Sequence, residues 1–351
     1  MIIHNKILIV VFSITALISC SNNEFNRYEH FPKNNYLIAE KLYPDTALLR
    51  YPFRLQIKDS IVIVMDLHPK EYYFHVYSYP KFCYILSFGR LGEAPNELLS
   101  ADNFNYINND SIWVLDANKM QISRWGISIN NKYFEQKESI KLNKDLIRTL
   151  DFELYTDSLF FVPSYTGKYR YATIQNDGQI VNTKSTIPTE VNSTTEANPA
   201  LAQAWRSFID FNSKNGILAL VTQLGEVIEI YNLHNNTHKV LYGPNGEPDF
   251  KISNGYGIPT GIMGFSDVEV TDKYIYTVFH GRSFKEIARK IMKGAPSIDG
   301  GKYIYVFSLS GEPVCSYTLD RYIYGIDVNE EKGIITAVDV NSDEPIVQFK
   351  I

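Results

Sequence analysis

Three cysteines, Cys20, Cys83 and Cys315, are too few for a small scaffold held by disulfides. Long hydrophobic runs are also scarce: the one extended run, from Ile7 to Ile18, falls short of a bilayer span. Base is not in excess. Lys and Arg number 34 against 39 Asp and Glu, a formal charge of −5, which argues against a nucleic-acid partner. Enzyme signatures are missing too, with no Gly-x-Ser-x-Gly elbow, no phosphate loop and no His-Glu-x-x-His pair. No cofactor is expected.

What the chain does have is aromatic residues and repetition. Tyr (25) and Phe (20) are abundant, as expected where sheets pack face to face. A unit of alternating strand, polar turn and second strand occurs six times: FRLQIKDSIVIVMD from Phe53, DNFNYINNDSIWVLD from Asp102, LDFELYTDSLFFVP from Leu150, FIDFNSKNGILALV from Phe208, SDVEVTDKYIYTVF from Ser266 and GIDVNEEKGIITAV from Gly325. Period-two alternation broken by turn residues is a hairpin pattern. The second strands begin at Ile61, Ile112, Leu159, Ile217, Ile275 and Ile334, a strand-built period of propeller-blade size. A third and usually a fourth strand follow each hairpin, joined in two units by Asn176-Asp177-Gly178 and Ser310-Gly311-Glu312. The expected fold is all-β: a six-bladed β-propeller of four-stranded antiparallel blades over residues 36–351. The last unit supplies only three strands before the terminus. The strand-like segment YLIAEKLYP from Tyr36 is expected to pair beside Ile346–Ile351 and close the ring.

At the amino end, Lys6 precedes the apolar run and Leu17-Ile18-Ser19-Cys20 follows it. That ending resembles the lipobox of bacterial lipoproteins. It implies a signal peptide over 1–19, lipid attachment at Cys20 and, with Ser21 next, outer-membrane sorting. Residues 20–35 are polar and read as a flexible tether.

The long segments are Gly89–Ser100, Pro188–Trp205, Gly243–Gly264 and His280–Gly301. In a propeller these loops share one face, and binding is expected there. The last contains a helix capped by Ser283 and ended by Gly294, with Phe284, Ile287, Ala288 and Ile291 on one side and a basic flank. Ligand-binding candidates on this face are His68, Arg90, Glu93, His280, Arg282 and Arg289. Gly89, Gly92, Pro95 and Glu97 form a structural loop, echoed by Gly243-Pro244-Asn245-Gly246-Glu247-Pro248. The loop resembles the Gly-x-Gly-x-x-Pro-x-Glu segment of six-bladed TolB-like and NHL-like propeller lipoproteins of Gram-negative bacteria, with the proline shifted by about a position. The resemblance implies the fold and adds little chemistry.

Two other patterns are weak. His234 and His238 share a turn with no third metal ligand, and Asp339, Asn341 and Asp343 begin a calcium-loop spacing without its Gly or its final Glu. No metal is expected. Asp210, Asp267 and Asp327 sit on first strands and are placed to ring the axial channel. Cys83 and Cys315 fall in units that are not neighbours, so they are not expected to pair. The functional expectation is a monomeric, lipid-anchored envelope module that binds a protein partner or small glycan. The alternative is a lyase or hydrolase working at the channel mouth.

Overall fold

The structure, a computed structural model, describes residues 24–44, 49–108, 111–189, 199–253 and 255–351. The expected signal peptide and Cys20 lie outside the described residues.

Six antiparallel sheets stand in a ring, and each is built in sequence order from the axis outward. Their innermost strands are Pro52–Lys58, Asn103–Asn108, Glu153–Thr156, Ser207–Asn212, Phe265–Val270 and Ile326–Asn329. Strand alternation explains why the sheets stack. Successive side chains point to opposite faces, so one strand feeds two interblade cores. Ile112 and Val114 pack toward blade one, whereas Trp113 and Leu115 pack toward blade three. Ile275 packs toward blade four, while Tyr276 and Val278 meet blade six. Val338 and Ile346 of blade six meet Val62, Val64 and Tyr77 of blade one, which completes the circle.

Closure occurs as the repeat predicted, through a short contact. Glu40 and Lys41 pair with Gln348 and Val347 as the outer strand of blade six, and Leu42 donates to the Ile346 carbonyl at 3.0 Å. The tether is corrected. Glu24–Arg27 lies parallel to Thr237–Tyr242 on the outer edge of blade four, and Asn34–Leu37 lies parallel to the fourth strand of blade five, Pro313–Ile323. The segment is polar on average but holds two aromatic anchors. Tyr28 and Phe31 pack edge-on against Phe307 at 5.2 and 5.3 Å, and the Tyr28 hydroxyl donates to Glu226 at 2.9 Å. The amino-terminal segment is therefore a belt across the outer edges of three consecutive blades.

The long loops carry their own structure. A helix, Pro199–Ala204, brings Trp205 into full burial against Val227, Val240 and Tyr242. Phe250–Ser253 and Tyr256–Pro259 form a separate hairpin. Phe284–Met292 is the predicted helix, with the Ser283 hydroxyl accepting from the Glu286 amide at 3.1 Å. Gly294 ends it at φ +81°.

Candidate functional site

Six first strands bring polar side chains to the axis at the same level: Gln56, Asn105, Glu153, Asp210, Glu269 and Asp327. Most reach forward to the next blade. Gln56 accepts from the Tyr106 amide at 2.7 Å, and Asn105 donates to the Phe152 carbonyl at 3.0 Å. Asp210 accepts from the Val270 amide, Glu269 from Val328 at 2.8 Å, and Asp327 from Ile57 at 2.7 Å. A second tier lies closer to the strand starts. Asp151 accepts from Ile209 at 2.9 Å and Asp267 from Ile326 at 2.8 Å. These bonds satisfy backbone donors that adjacent, unpaired inner strands would otherwise leave orphaned. The recurrence of acid on first strands thus has a structural cause: the side chains staple blade to blade.

Arg54 stands in the second tier as the counter-charge. It is ion-paired with Asp267 and lies 3.9 Å from Asp151. Its guanidinium sits 4.7 Å over the Phe208 ring, and its Nε and Nη2 have no hydrogen-bond partner. Burial raises the carboxyls nearby. Asp151 is pushed up to about 7 although Arg54 pulls the other way, and Asp210 to about 6. Glu153 and Glu269 are driven well above the usual range by burial and by their acidic neighbours. Lys58, further along the same strand as Arg54, is lowered by burial.

These groups line an axial cavity of about 820 Å³. Its outer wall is made by first-to-second-strand turns, including Asp59, Ser213, Lys214, Asp272 and Glu331. Tyr79, Tyr106 and Phe211 also border it, Tyr106 with its side chain buried in the core between blades one and two. At the other end the axis is plugged. Phe53 lies 4.8 Å from Tyr324 and 6.3 Å from Phe208, directly above the Arg54 guanidinium. Among the described residues, none from the four long loops lines the cavity. The cavity thus lies at the opposite end of the axis from the long loops, where binding is expected from the sequence. The reason is geometric: aromatic rings at the start of the inner strands fill that end, and the short turns leave the opposite end open.

The chain fits a known family model, TolB-like 6-blade propeller-like, over residues 29–331. The chain belongs to the TolB-like six-blade propeller family. Among solved structures, this TolB-like chain resembles a Bacteroides fragilis protein described as exported. The two share 11% identity and a TM-score of 0.58, covering 93% of this chain and 99% of that one. A duf4221 family member from Bacteroides vulgatus is similar at 11% identity and TM-score 0.57, covering 90% and 95%. At such identity the likeness concerns the fold alone. No curated protein matches the chain.

In this TolB-like ring the candidate residues of the elaborated face do not form one site. His68 and His280 do approach the same aromatic pair. His68 is exposed and meets Tyr51 edge-on at 4.9 Å, and Tyr51 lies 6.1 Å from Tyr324. His280 is buried 5.8 Å from Tyr324, and burial holds its pKa down at about 3, so it stays neutral. Arg282 is committed to structure. It donates to the Ile298 carbonyl at 2.7 Å and stacks on Tyr322. Arg90 pairs with Glu71 and Glu97 on the rim, Glu93 is solvent-exposed beside it, and Arg289 is on the distant helix. Gly89, at φ +67°, packs where a Cβ would strike Leu98 and Phe74, and a Cβ on Gly92 would overlap the Glu97 carboxylate. Glu97 accepts from the Ala94 amide at 3.0 Å, and exposed Pro95 lies within that turn. In the echo loop the bonding carboxylate is Glu226, which takes both the Asn245 amide and its side chain.

Several first-strand residues were missed by reading the sequence: Arg54, Gln56, Lys58, Asn105, Glu153 and Glu269. The available signal was register: Gln56, Asn105, Glu153 and Glu269 stand level with Asp210 and Asp327, and Arg54 with Asp267, whereas Lys58 matches none of the three aspartates. His238 is also reassigned. It stacks on Tyr231 at 3.9 Å and lies 3.2 Å from Glu229, which Arg170 binds from the other side at 2.5 Å. Burial alone would raise Glu229, yet Arg170 and His238 bring it down to about 2. Asp339 and Asn341 form a clamp. Asn341 donates its amide to Asp339, and its side chain bridges to the Asp299 backbone.

Proposed function

We propose that the protein is a lipid-anchored envelope module that takes a small glycan, or a comparable polyhydroxylated molecule, into the axial cavity from the turn face. The observation that carries this reading is convergence. Side chains of all six blades meet around one space open at the turn end, and they offer acceptors, amide forks and four cations, Arg54, Lys58, Lys214 and Lys332, together. Carboxylates raised by burial can hold a proton, so they both donate and accept. The half-buried Tyr79 and Phe211 at the wall can supply the apolar faces that sugar rings need. The address is supported by Lys6, the Ile7–Ile18 run and the Leu17-Ile18-Ser19-Cys20 ending, and by the Bacteroides neighbour described as exported. Among the described residues no helix is long and apolar enough to cross a membrane.

The test is a panel of neutral, amino and acidic sugars, read by thermal shift and calorimetry on the wild type and on Glu269→Gln and Gln56→Ala. Saturable binding to a sugar, weakened about tenfold or more by either change, supports the reading. Binding unaffected by both changes, or none across the panel, removes it. The anchor is tested apart: Cys20→Ala should move the protein out of the membrane fraction, and unchanged retention refutes lipidation.

A further inference from the structure

The helix Phe284–Met292 is anomalous for a globular protein, because none of its residues is buried. Propensity and a Ser cap seldom sustain so short a helix alone. Ile287 and Ile291 are turned toward Tyr322, Pro296 and Ile298, which hold one side of it. The other side presents Lys285, Arg289 and Lys293, spaced four apart in one row, with Met292 beside them and 81% exposed. Those three cations have no ion pair among the described residues, whereas Lys290 is paired with Glu286 at 3.3 Å. Five basic residues thus fall between Arg282 and Lys293 against one acid, in a chain of net charge −5.

We propose that this helix docks on an anionic lipid surface, with Met292 entering the headgroup layer and Lys285, Arg289 and Lys293 paired to lipid phosphates. A convex row of long, unpaired cations next to one projecting apolar side chain suits mobile headgroups. A shaped protein partner would ask for a groove, and the helix protrudes. Charge complementarity favours an anionic bilayer over a neutral one. The inference rests on the envelope location proposed above and is independent of the axial ligand.

The experiment uses the full mature chain with vesicles of phosphatidylcholine, alone or mixed with phosphatidylglycerol. Amide hydrogen exchange is followed over residues 284–293, with flotation recording whether the chain is anchored. On the anionic vesicles exchange should slow about tenfold or more, and the triple change Lys285→Glu, Arg289→Glu, Lys293→Glu should abolish the slowing. Met292→Asp should reduce it without altering the helix in free protein. Flotation with both vesicle types but equal exchange would support the anchor and overturn the docking. Binding to anionic vesicles alone would support the docking and count against the anchor. Slowing that depends on protein concentration without vesicles would point to a second copy and overturn the proposal.

Discussion

The two ends of the axis are made from the same six strands and behave oppositely. At the strand starts, Phe53, Phe208 and Tyr324 close the hole, and Arg54 sits beneath them against Asp151 and Asp267. At the strand ends, Lys58, Asp59, Asp272 and Glu331 surround an opening. The closed end carries the long loops and the open end carries only tight turns. Loop length and pocket position are therefore separate properties of this ring. What decides the pocket is which inner-strand positions hold rings and which hold short polar chains.

The strongest way to break this contrast is Arg54→Met. Two buried carboxylates would lose their shared cation, and removal of one partner from such a cluster costs on the order of 3 to 5 kcal/mol. Urea unfolding of the variant should show a loss of that size, and a midpoint close to wild type would mean that the closed end is not held by charge. Phe53→Ala should cost about 2 kcal/mol, less than a fully buried ring because Phe53 is only partly buried. It should also turn the blind cavity into a through-channel, visible as a faster release of bound sugar. An unchanged release rate would show that the plug does not limit exit.

Acidity separates the two ends more gently. The folded chain holds protons on Asp151 up to about 7 and on Asp210 up to about 6, against 3.8 for an unhindered aspartate. The folded state then binds more protons than the unfolded one across that window, so stability falls as pH rises through it. His280 works the other way between 6.5 and about 3, being held neutral when folded. His75, also lowered by burial, acts in the same sense; two histidines oppose several carboxyls, so the melting temperature should be lower at about pH 8 than at about pH 5.5. Glu269→Gln combined with Asp327→Asn should flatten the profile. A profile that rises with pH would mean that the axial carboxyls stay ionised. The smallest effect is expected on the elaborated rim: Arg90→Glu with Arg289→Glu should change stability by no more than about 0.5 kcal/mol and leave sugar affinity intact. A marked loss of affinity would return the site to that face.

Much of the architecture was legible because the repeat writes it twice, once in strand alternation and once in spacing. Ile61, Leu159, Ile217 and Ile334 each begin a second strand, and Ile112 and Ile275 stand second in theirs. The interblade staples were only half legible. Asp210, Asp267 and Asp327 stood out by their charge, whereas Gln56 and Asn105 do the same job with amides and look like ordinary strand residues. The plug was hidden because Phe53, Phe208 and Tyr324 are distant in sequence and meet only through rotational closure. The amino-terminal belt was hidden by its composition, since Tyr28 and Phe31 are diluted among polar neighbours. The helix was read correctly from its cap and spacing, but its lack of burial is a tertiary fact.

The belt also sets a timetable. Residues 24–41 emerge early from a ribosome or an export channel, yet their pairing partners lie between Thr237 and Lys350. Its first strand can join blade four once Tyr242 has appeared, but the rims of blades five and six stay bare until Leu319 and Gln348 follow. Contacts so remote along the chain make slow assembly, and unpaired rims invite association with other chains. A cell making this protein would need a holding factor, or a low concentration, during the interval before the last blade is delivered.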